Sequence, residues 1–182
     1  MIRGRRSFLA AAAAFVSGCL GTEEKPSRAP EKPTFGGARA PDFELRSLDG
    51  TNVRLGDHFG KHVVLVDFWA TYCQPCLVAL PHLDELYQKY KAEGFVVLAV
   101  AIDEAALGSR VRVEAAKLRL SFPILLDPET EVVSRYNPRS TAPYSVLVGR
   151  DGSILSRREG YTVGERSVLE GEVRRALGLP AG

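Results

Sequence analysis

The chain has 182 residues, with 24 Lys and Arg against 22 Asp and Glu, 45% hydrophobic residues and 25% charged ones. That length suits one domain of ordinary size with a tail, and the composition excludes a wholly disordered or fibrous chain. A formal net charge of +2 without a run of five basic residues leaves no footprint for nucleic acid, and three cysteines are too few for a disulfide scaffold.

Met1 to Gly18 reads MIRGRRSFLAAAAAFVSG: a basic start of Arg3, Arg5 and Arg6, an apolar run from Phe8 to Val16, then small residues. The run is too short to cross a ~30 Å hydrocarbon core, which takes about 20 apolar residues. The order is that of a secretory signal over residues 1–18. Arg5-Arg6-Ser7-Phe8-Leu9 resembles a twin-arginine export signal, although a generic basic region for the general secretory route fits the same arginines. Val16-Ser17-Gly18-Cys19 resembles a bacterial lipobox, which implies cleavage before Cys19 and lipidation of that cysteine. Loss of residues 1–18 removes three basic residues and no acidic one, leaving 21 against 22, so the basic balance belongs to the signal. Residues 19–38 carry Pro26, Pro30, Pro33 and mixed charges, with too little apolar surface to offset the entropy of ordering. They read as a flexible tether, and at ~3.1 Å per residue a polyproline-like chain of this length reaches about 50–60 Å. The folded domain is expected over residues 39–182.

Pro41 to Leu45 alternates as an exposed strand does, Asp49-Gly50 marks a turn, and Asn52 to Leu55 alternates again, which predicts a β-hairpin. Val63 to Ala70 (VVLVDFWA) is a near-continuous apolar run suited to a strand buried on both faces. From Pro75 to Ala92 the residues Leu77, Leu80, Leu83, Leu86, Tyr87 and Tyr90 fall at helical spacing; Pro81 inside the run predicts a kink and Gly94 a stop. Phe95 to Ile102 predicts a second buried strand, Glu104 to Leu118 a helix, Pro123 to Leu126 a short strand and Pro128 to Tyr136 a short helix. Tyr144 to Val148 and Ile154 to Arg158 flank the turn Asp151-Gly152 as a second hairpin. Gly164 to Leu177 closes as a helix with Val168, Val173 and Leu177 on its apolar face. Strand–helix–strand units followed by a hairpin and a helix predict an α/β fold, a central mixed sheet flanked by helices, with right-handed parallel crossovers.

Cys73-Gln74-Pro75-Cys76 is the only close cysteine pair, and it falls between a buried strand and an amphipathic helix. A helix N-terminus offers free N–H groups and partial positive charge, which favour the reactive thiolate at Cys73. Cys76, three residues on, is within reach for a disulfide, and Pro75 sits where a missing N–H costs little. A bare C-x-x-C is also half a zinc site. Four-cysteine zinc would need a fourth thiol, and the histidine pair His58 and His62 lies before the strand whose far end carries Cys73. At ~3.3 Å per residue that separation is about 30 Å, too long for one coordination sphere of ~2 Å bonds. His82, alone on the following helix, reads as a surface residue. Asp67 interrupts the apolar strand six residues before Cys73; burial there would raise its pKa toward the range useful for proton transfer.

Val66-Asp67-Phe68-Trp69-Ala70-Thr71-Tyr72-Cys73-Gln74-Pro75-Cys76 resembles the active-site stretch of the thioredoxin superfamily. Pro81 resembles the proline of its active-site helix, and Thr141-Ala142-Pro143 resembles its cis-proline loop. The opening Ala40-Pro41-Asp42-Phe43-Glu44-Leu45 and the insert over Glu104 to Leu118 are similar to the TlpA/ResA branch of membrane-tethered thiol–disulfide reductases. The resemblance spans about Arg39 to Leu179. It implies a thioredoxin-like fold with an N-terminal β-hairpin extension and a helical insert.

It also implies roles. Cys73 would attack a substrate disulfide and Cys76 would resolve the mixed disulfide, so the redox-active group is the Cys73–Cys76 disulfide and no separate cofactor or metal is called for. Pro143 would close over the pair as a cis residue, and the Ala142 backbone would pair with a substrate segment as an added strand. Asp67 would accept or relay the Cys76 proton, while Trp69 and Tyr72 would lie beside the substrate. Two positions depart from the branch: Tyr72 stands where Trp is frequent, and Ala79 stands where a Glu is frequent, leaving Asp67 as the acid of the site. The implied partners are substrate protein thiols and disulfides, including apocytochrome c cysteines in cytochrome c maturation, and a transmembrane electron donor of the DsbD type. The domain would act as a monomer, lipid-anchored at Cys19 to a bacterial membrane and facing the periplasm or extracytoplasmic space. Three other readings compete. The same cysteines could hold Cu(I) in a metallochaperone, although the only Met is Met1. A peroxidase would want Thr where Ala70 stands. A disulfide oxidant or isomerase differs only in reduction potential.

Overall fold

A computed structural model describes residues 37–180. The expected signal, Cys19 and the tether up to residue 36 lie outside the described residues.

Eleven regular elements follow: β1 (Glu44–Arg46), β2 (Asn52–Arg54), β3 (Val63–Trp69), α1 (Gln74–Tyr90), β4 (Phe95–Ala101), α2 (Gly108–Lys117), β5 (Ile124–Leu126), α3 (Glu131–Tyr136), β6 (Tyr144–Val148), β7 (Ile154–Glu159) and α4 (Glu165–Leu177). β1 and β2 form an antiparallel hairpin with Leu45 opposite Val53. The other five strands form one sheet in the order β5-β4-β3-β6-β7. β3–β4 and β4–β5 pair parallel through the α1 and α2 crossovers, while β3–β6 and β6–β7 pair antiparallel.

β3 has neighbours on both sides, and all seven of its residues are buried. That is why its sequence is a continuous apolar run rather than an alternating one. Successive side chains still point to opposite faces. Phe68 meets Tyr136 of α3 on one face, with ring centroids 5.5 Å apart. Asp67 turns to the other face, toward Ala79 and Leu83 of α1 and Leu169 of α4. There α1 and α4 lie side by side: Glu170 accepts from Lys89 Nζ and from the Tyr90 hydroxyl, each at 2.6 Å, and Arg166 pairs with Glu85. Exposed ion pairs of this kind contribute little, because water screens them. The apolar stripe of α4 carries more of the packing.

The segment before the hairpin laces the sheet. Ile154 N–H donates to the Ala38 carbonyl at 3.0 Å, Ala40 N–H to Gly152 at 2.9 Å and, further on, Leu48 N–H to Ile124 at 2.9 Å. Both edge strands, β7 and β5, are thereby partly covered, which removes unpaired edge groups. Gly37 lies so close to the Ile154 carbonyl that a Cβ there would collide with it. Tyr136 ties the hairpin to α3 by donating its hydroxyl to the Pro41 carbonyl.

Three sequence-based expectations need adjustment, at the starts of α2 and α3 and on the buried face of α4. α2 starts at Gly108 because Ala105–Leu107 forms a 3-10 turn. α3 starts at Glu131, where Asp127 accepts the N–H groups of Val132 and Val133 (3.1 and 2.8 Å) and so terminates the turn before it. α1 runs on past Pro81, which cannot donate to the Leu77 carbonyl, and as expected it stops before Gly94, whose φ of +90° is a left-handed conformation that suits glycine. In α4 the buried stripe is Leu169, Val173 and Leu177, while Val168 is 51% exposed. Leu169, Val173 and Leu177 repeat every four residues on one face, and Val168 sits about 100° away from it.

That phase is testable by chemical denaturation. Leu169→Ala is expected to lower stability by about 2–5 kcal/mol, whereas Val168→Ala should stay within about 0.5 kcal/mol. Equal effects at the two positions would contradict the packing of α4.

Candidate active site

Cys73 is the N-cap of α1, with extended backbone angles and a side chain that accepts the Cys76 N–H at 3.3 Å. Gln74 and Pro75 fill the first two helical positions, so the proline removes a donor that no intrahelical carbonyl needs. Cys73 and Cys76 are joined in a disulfide with Cα atoms 5.3 Å apart. The two sulfurs are not equivalent. Cys73 retains 8% exposure and Cys76 none. A nucleophile from solvent or from a docked chain therefore meets Cys73 first. Once the pair is reduced, the free N–H groups and dipole of α1 favour negative charge on the Cys73 sulfur.

The turn that delivers Cys73 is clamped from the adjacent strand. Register pairs Trp69 with Ala101, and Asp103 follows two residues after β4 ends. Its buried carboxylate accepts the Thr71 N–H at 3.0 and 3.2 Å and the Thr71 hydroxyl at 2.5 Å. Ile102 N–H donates to the Trp69 carbonyl at 2.9 Å. Asp103 has no role in the sequence-based reading, and Thr71 enters it only as part of the active-site stretch. The available signal was an acid directly after a buried strand, at the end of the sheet where parallel strands collect functional loops.

A second loop closes the site. Phe68 pairs with Tyr144, which brings the start of β6 to the same end of the sheet. The Ala142–Pro143 peptide is cis. The buried Asn137 side chain braces the approach by donating to Thr141 Oγ1 at 2.9 Å and accepting from Arg139 N–H at 3.1 Å. Gly160 N–H donates to the Pro143 carbonyl at 2.9 Å. Pro143 is buried and Ala142 partly so.

Asp67 is buried, and burial alone pushes its carboxyl up to about 7. Its Oδ2 has no hydrogen-bond partner among the described residues. With Ala79, Leu83, Pro143, Ser145 and Arg158 it lines a cavity of about 20 Å³. Ala79 lies one turn after Cys76 on α1. The carboxyl thus combines a proton affinity near neutrality with a place beside the cysteine-bearing helix, as general acid–base work requires.

The remaining candidates separate cleanly. Tyr72 is 63% exposed next to Cys73, open to a docked partner. Trp69 is a correction: it was expected beside the substrate but is fully buried, because the end of β3 is covered on both faces. It supports the site from within. His58 and His62 face each other, Nδ1 to Nδ1 at 3.2 Å, at the opposite end of β3 from the motif. His82 is bonded to the Tyr161 hydroxyl rather than free at the surface. Among the described residues no group of three or more His, Cys, Asp or Glu is placed to hold a metal ion. Cys19 lies outside the described residues.

Two substitutions probe this arrangement. Asp103→Asn presents an amide where two donors, the Thr71 N–H and hydroxyl, converge, and should lower stability by about 1–3 kcal/mol; an unchanged denaturation midpoint would show that the clamp does not hold the turn. Asp67 binds its proton more tightly folded than unfolded, so it costs stability as pH rises from about 4 to about 7. Asp67→Asn should match the parent below pH 4 and exceed it by about 4 kcal/mol above pH 8, measured by denaturation across pH.

Comparison with known proteins places this geometry. The Redoxin family model matches residues 36–173. Thiol-disulfide oxidoreductase ResA of Geobacillus kaustophilus is 39% identical over 118 residues, covering 65% of this chain and 66% of that protein. Its Bacillus cereus counterpart is 33% identical over 139 residues, covering 76% of this chain and 77% of that protein. The chain therefore spans between about two thirds and three quarters of these relatives' lengths. A Chlorobium tepidum structure described as a thiol:disulfide interchange protein DsbE superposes with a TM-score of 0.72 at 34% identity, covering 78% of this chain and 97% of that one. With its five-stranded mixed sheet, its helix-capping cysteine pair and these relatives, the chain belongs to the Redoxin family of the thioredoxin superfamily, as a ResA/TlpA-like thiol–disulfide oxidoreductase.

Proposed function

We propose that this oxidoreductase reduces disulfides of exported proteins from the outer face of a bacterial membrane. The observation that carries the reading is the asymmetry of the pair: Cys73 caps α1 and is the sulfur that solvent reaches, while Cys76 is sealed behind it.

In the reduced enzyme the Cys73 thiolate attacks one sulfur of a substrate disulfide. A Cys73–substrate bond forms, the substrate S–S bond breaks, and the departing sulfur takes up a proton. Cys76 then loses its proton to Asp67 and attacks the Cys73 sulfur. The second substrate thiolate leaves and is protonated, and the enzyme is left as the Cys73–Cys76 disulfide. Two electrons have passed to the substrate, and the sulfurs carry them without a bound cofactor. Ala142 and the cis Pro143 offer backbone at the site where an extended substrate segment can add as a strand, and Tyr72 presents an exposed ring beside Cys73. Asp103 and Asn137 hold the two loops in register.

In this reading residues 1–18 export the chain, lipid on Cys19 anchors it, residues 19–38 let the domain reach away from the bilayer, and the domain works as a monomer. An oxidising compartment keeps the enzyme disulfide formed, so a transmembrane donor of the DsbD type must return two electrons per cycle. Exported thiol proteins, apocytochrome c cysteines among them, are the proposed substrates.

Trapping with Cys76→Ser tests the reading. The variant should accumulate mixed disulfides between Cys73 and exported proteins, visible as reducible adducts, while Cys73→Ser/Cys76→Ser should give none. No adduct with Cys76→Ser would overturn it.

A further inference from the structure

Register carries a polar line across the sheet that the steps above leave unused. Asp67 of β3 stands opposite Ser145 of β6, and Ser145 stands opposite Arg158 of β7. Directly opposed residues share a face, so all three point toward α1 and α4. The two outer backbones are about 10 Å apart at the usual strand spacing. The cavity beside Asp67 occupies that gap and is lined by all three.

Two buried polar atoms there lack a partner among the described residues: an acceptor, Asp67 Oδ2, and a donor, Arg158 Nε. Arg158 is not a direct counter-ion of Asp67. Its Nη2 is engaged by Glu172 Oε1 at 2.6 Å, and Glu172 Oε2 accepts the Ser156 hydroxyl at 2.7 Å. The guanidinium is therefore anchored through Nη2, while its buried Nε has no partner among the described residues and the residue lines the cavity. The volume of about 20 Å³ suits a single water, which needs about 10–15 Å³ by this measure and two or more polar partners.

The other ionisable groups around the space are already committed. Glu165 of α4 accepts the Thr162 N–H at 2.6 Å and its hydroxyl at 3.1 Å. Tyr161, in the β7–α4 connection, is bonded to His82 of α1. From α1 itself only Ala79 and Leu83 line the space, with Cys76 one turn earlier, and Pro143 completes the wall.

We propose that Arg158 and Ser145 bind one water molecule against Asp67, and that this hydrated gap is the path by which the buried carboxyl exchanges its proton with solvent. Arg158 is thus a positioning residue for the Asp67 proton. This rests on the reading that Asp67 takes the Cys76 proton during resolution. The proton gained from Cys76 must leave before the next turnover. The carboxyl gives it to the cavity water as that water releases one of its own outward, so the net change is one proton delivered to bulk. Arg158 orients the water and its charge favours the carboxylate that remains.

Stopped-flow measurement of mixed-disulfide resolution across pH tests the proposal. Ser145→Val fills the space and leaves the Arg158–Glu172 pair intact, while Arg158→Met with Glu172→Gln removes the donor without stranding a buried carboxylate. Each is expected to slow resolution about tenfold, part of the 10²–10⁴ that a positioned base supplies, and to move the pH midpoint of resolution upward. Initial attack by Cys73, measured in the Cys76→Ser background, should change less than twofold. A merely structural role would leave the pH midpoint in place. If Asp67→Asn slows resolution but both cavity variants keep the parental rate and midpoint, the water path is wrong and the general reductase reading stands. If Asp67→Asn also leaves resolution unchanged, the proton role of Asp67 itself fails and takes the water path with it.

Discussion

A carboxyl group in the middle of the central strand is the constraint on which the site is built. β3 is buried at all seven positions, and Asp67 occupies one of them. Nothing but desolvation acts on it strongly, which is why its proton affinity rises to near neutrality. A charge there is a standing cost to the fold above pH 7, and a cost retained at a position facing the cysteine helix marks chemistry rather than packing. The sheet order makes this possible: only a strand with partners on both sides and helices on both faces can desolvate a carboxylate so fully.

The same strand decides where the reactive sulfur appears. β3 ends at Trp69, four residues before Cys73, and each strand beside it sends a brace to that end. β4 contributes Asp103, which grips Thr71. β6 begins at Tyr144, so the cis Pro143 arrives at the same level, held through Asn137 and Gly160. Cys73 thus stands at the tip of a turn held by hydrogen bonds from the loop after β4, and its partner Cys76 is shut inside the first turn of α1. Such preorganisation keeps the attacking sulfur exposed and the resolving sulfur protected until a mixed disulfide forms.

The motif itself was legible without coordinates, because a C-x-x-C after an apolar run and before an amphipathic helix leaves few alternatives, and the flanking residues from Val66 to Tyr72 narrowed them further. Strand and helix order was legible for the same reason: β3 and β4 are long and apolar, and Asp151-Gly152 announces the β6–β7 turn. The misreadings have a common cause. Trp69 looked available to a substrate and Val168 looked buried because a linear pattern does not say which neighbour covers which face. Asp103 and Arg158 act across strand pairings that join residues far apart in the chain, and no local spacing connects Asp103 to Thr71 or Arg158 to Asp67.

The sequence by itself therefore determined the element order, the placement of Cys73 at a helix N-terminus and an acid inside a buried strand, since these depend on local periodicity and capping alone. Only the tertiary structure decided that β3 sits at the centre of the sheet, that Asp103 clamps the active turn, and that Asp67, Ser145 and Arg158 line one cavity. Those facts come from strand order and register, which pack distant segments together through interactions that no single segment contains.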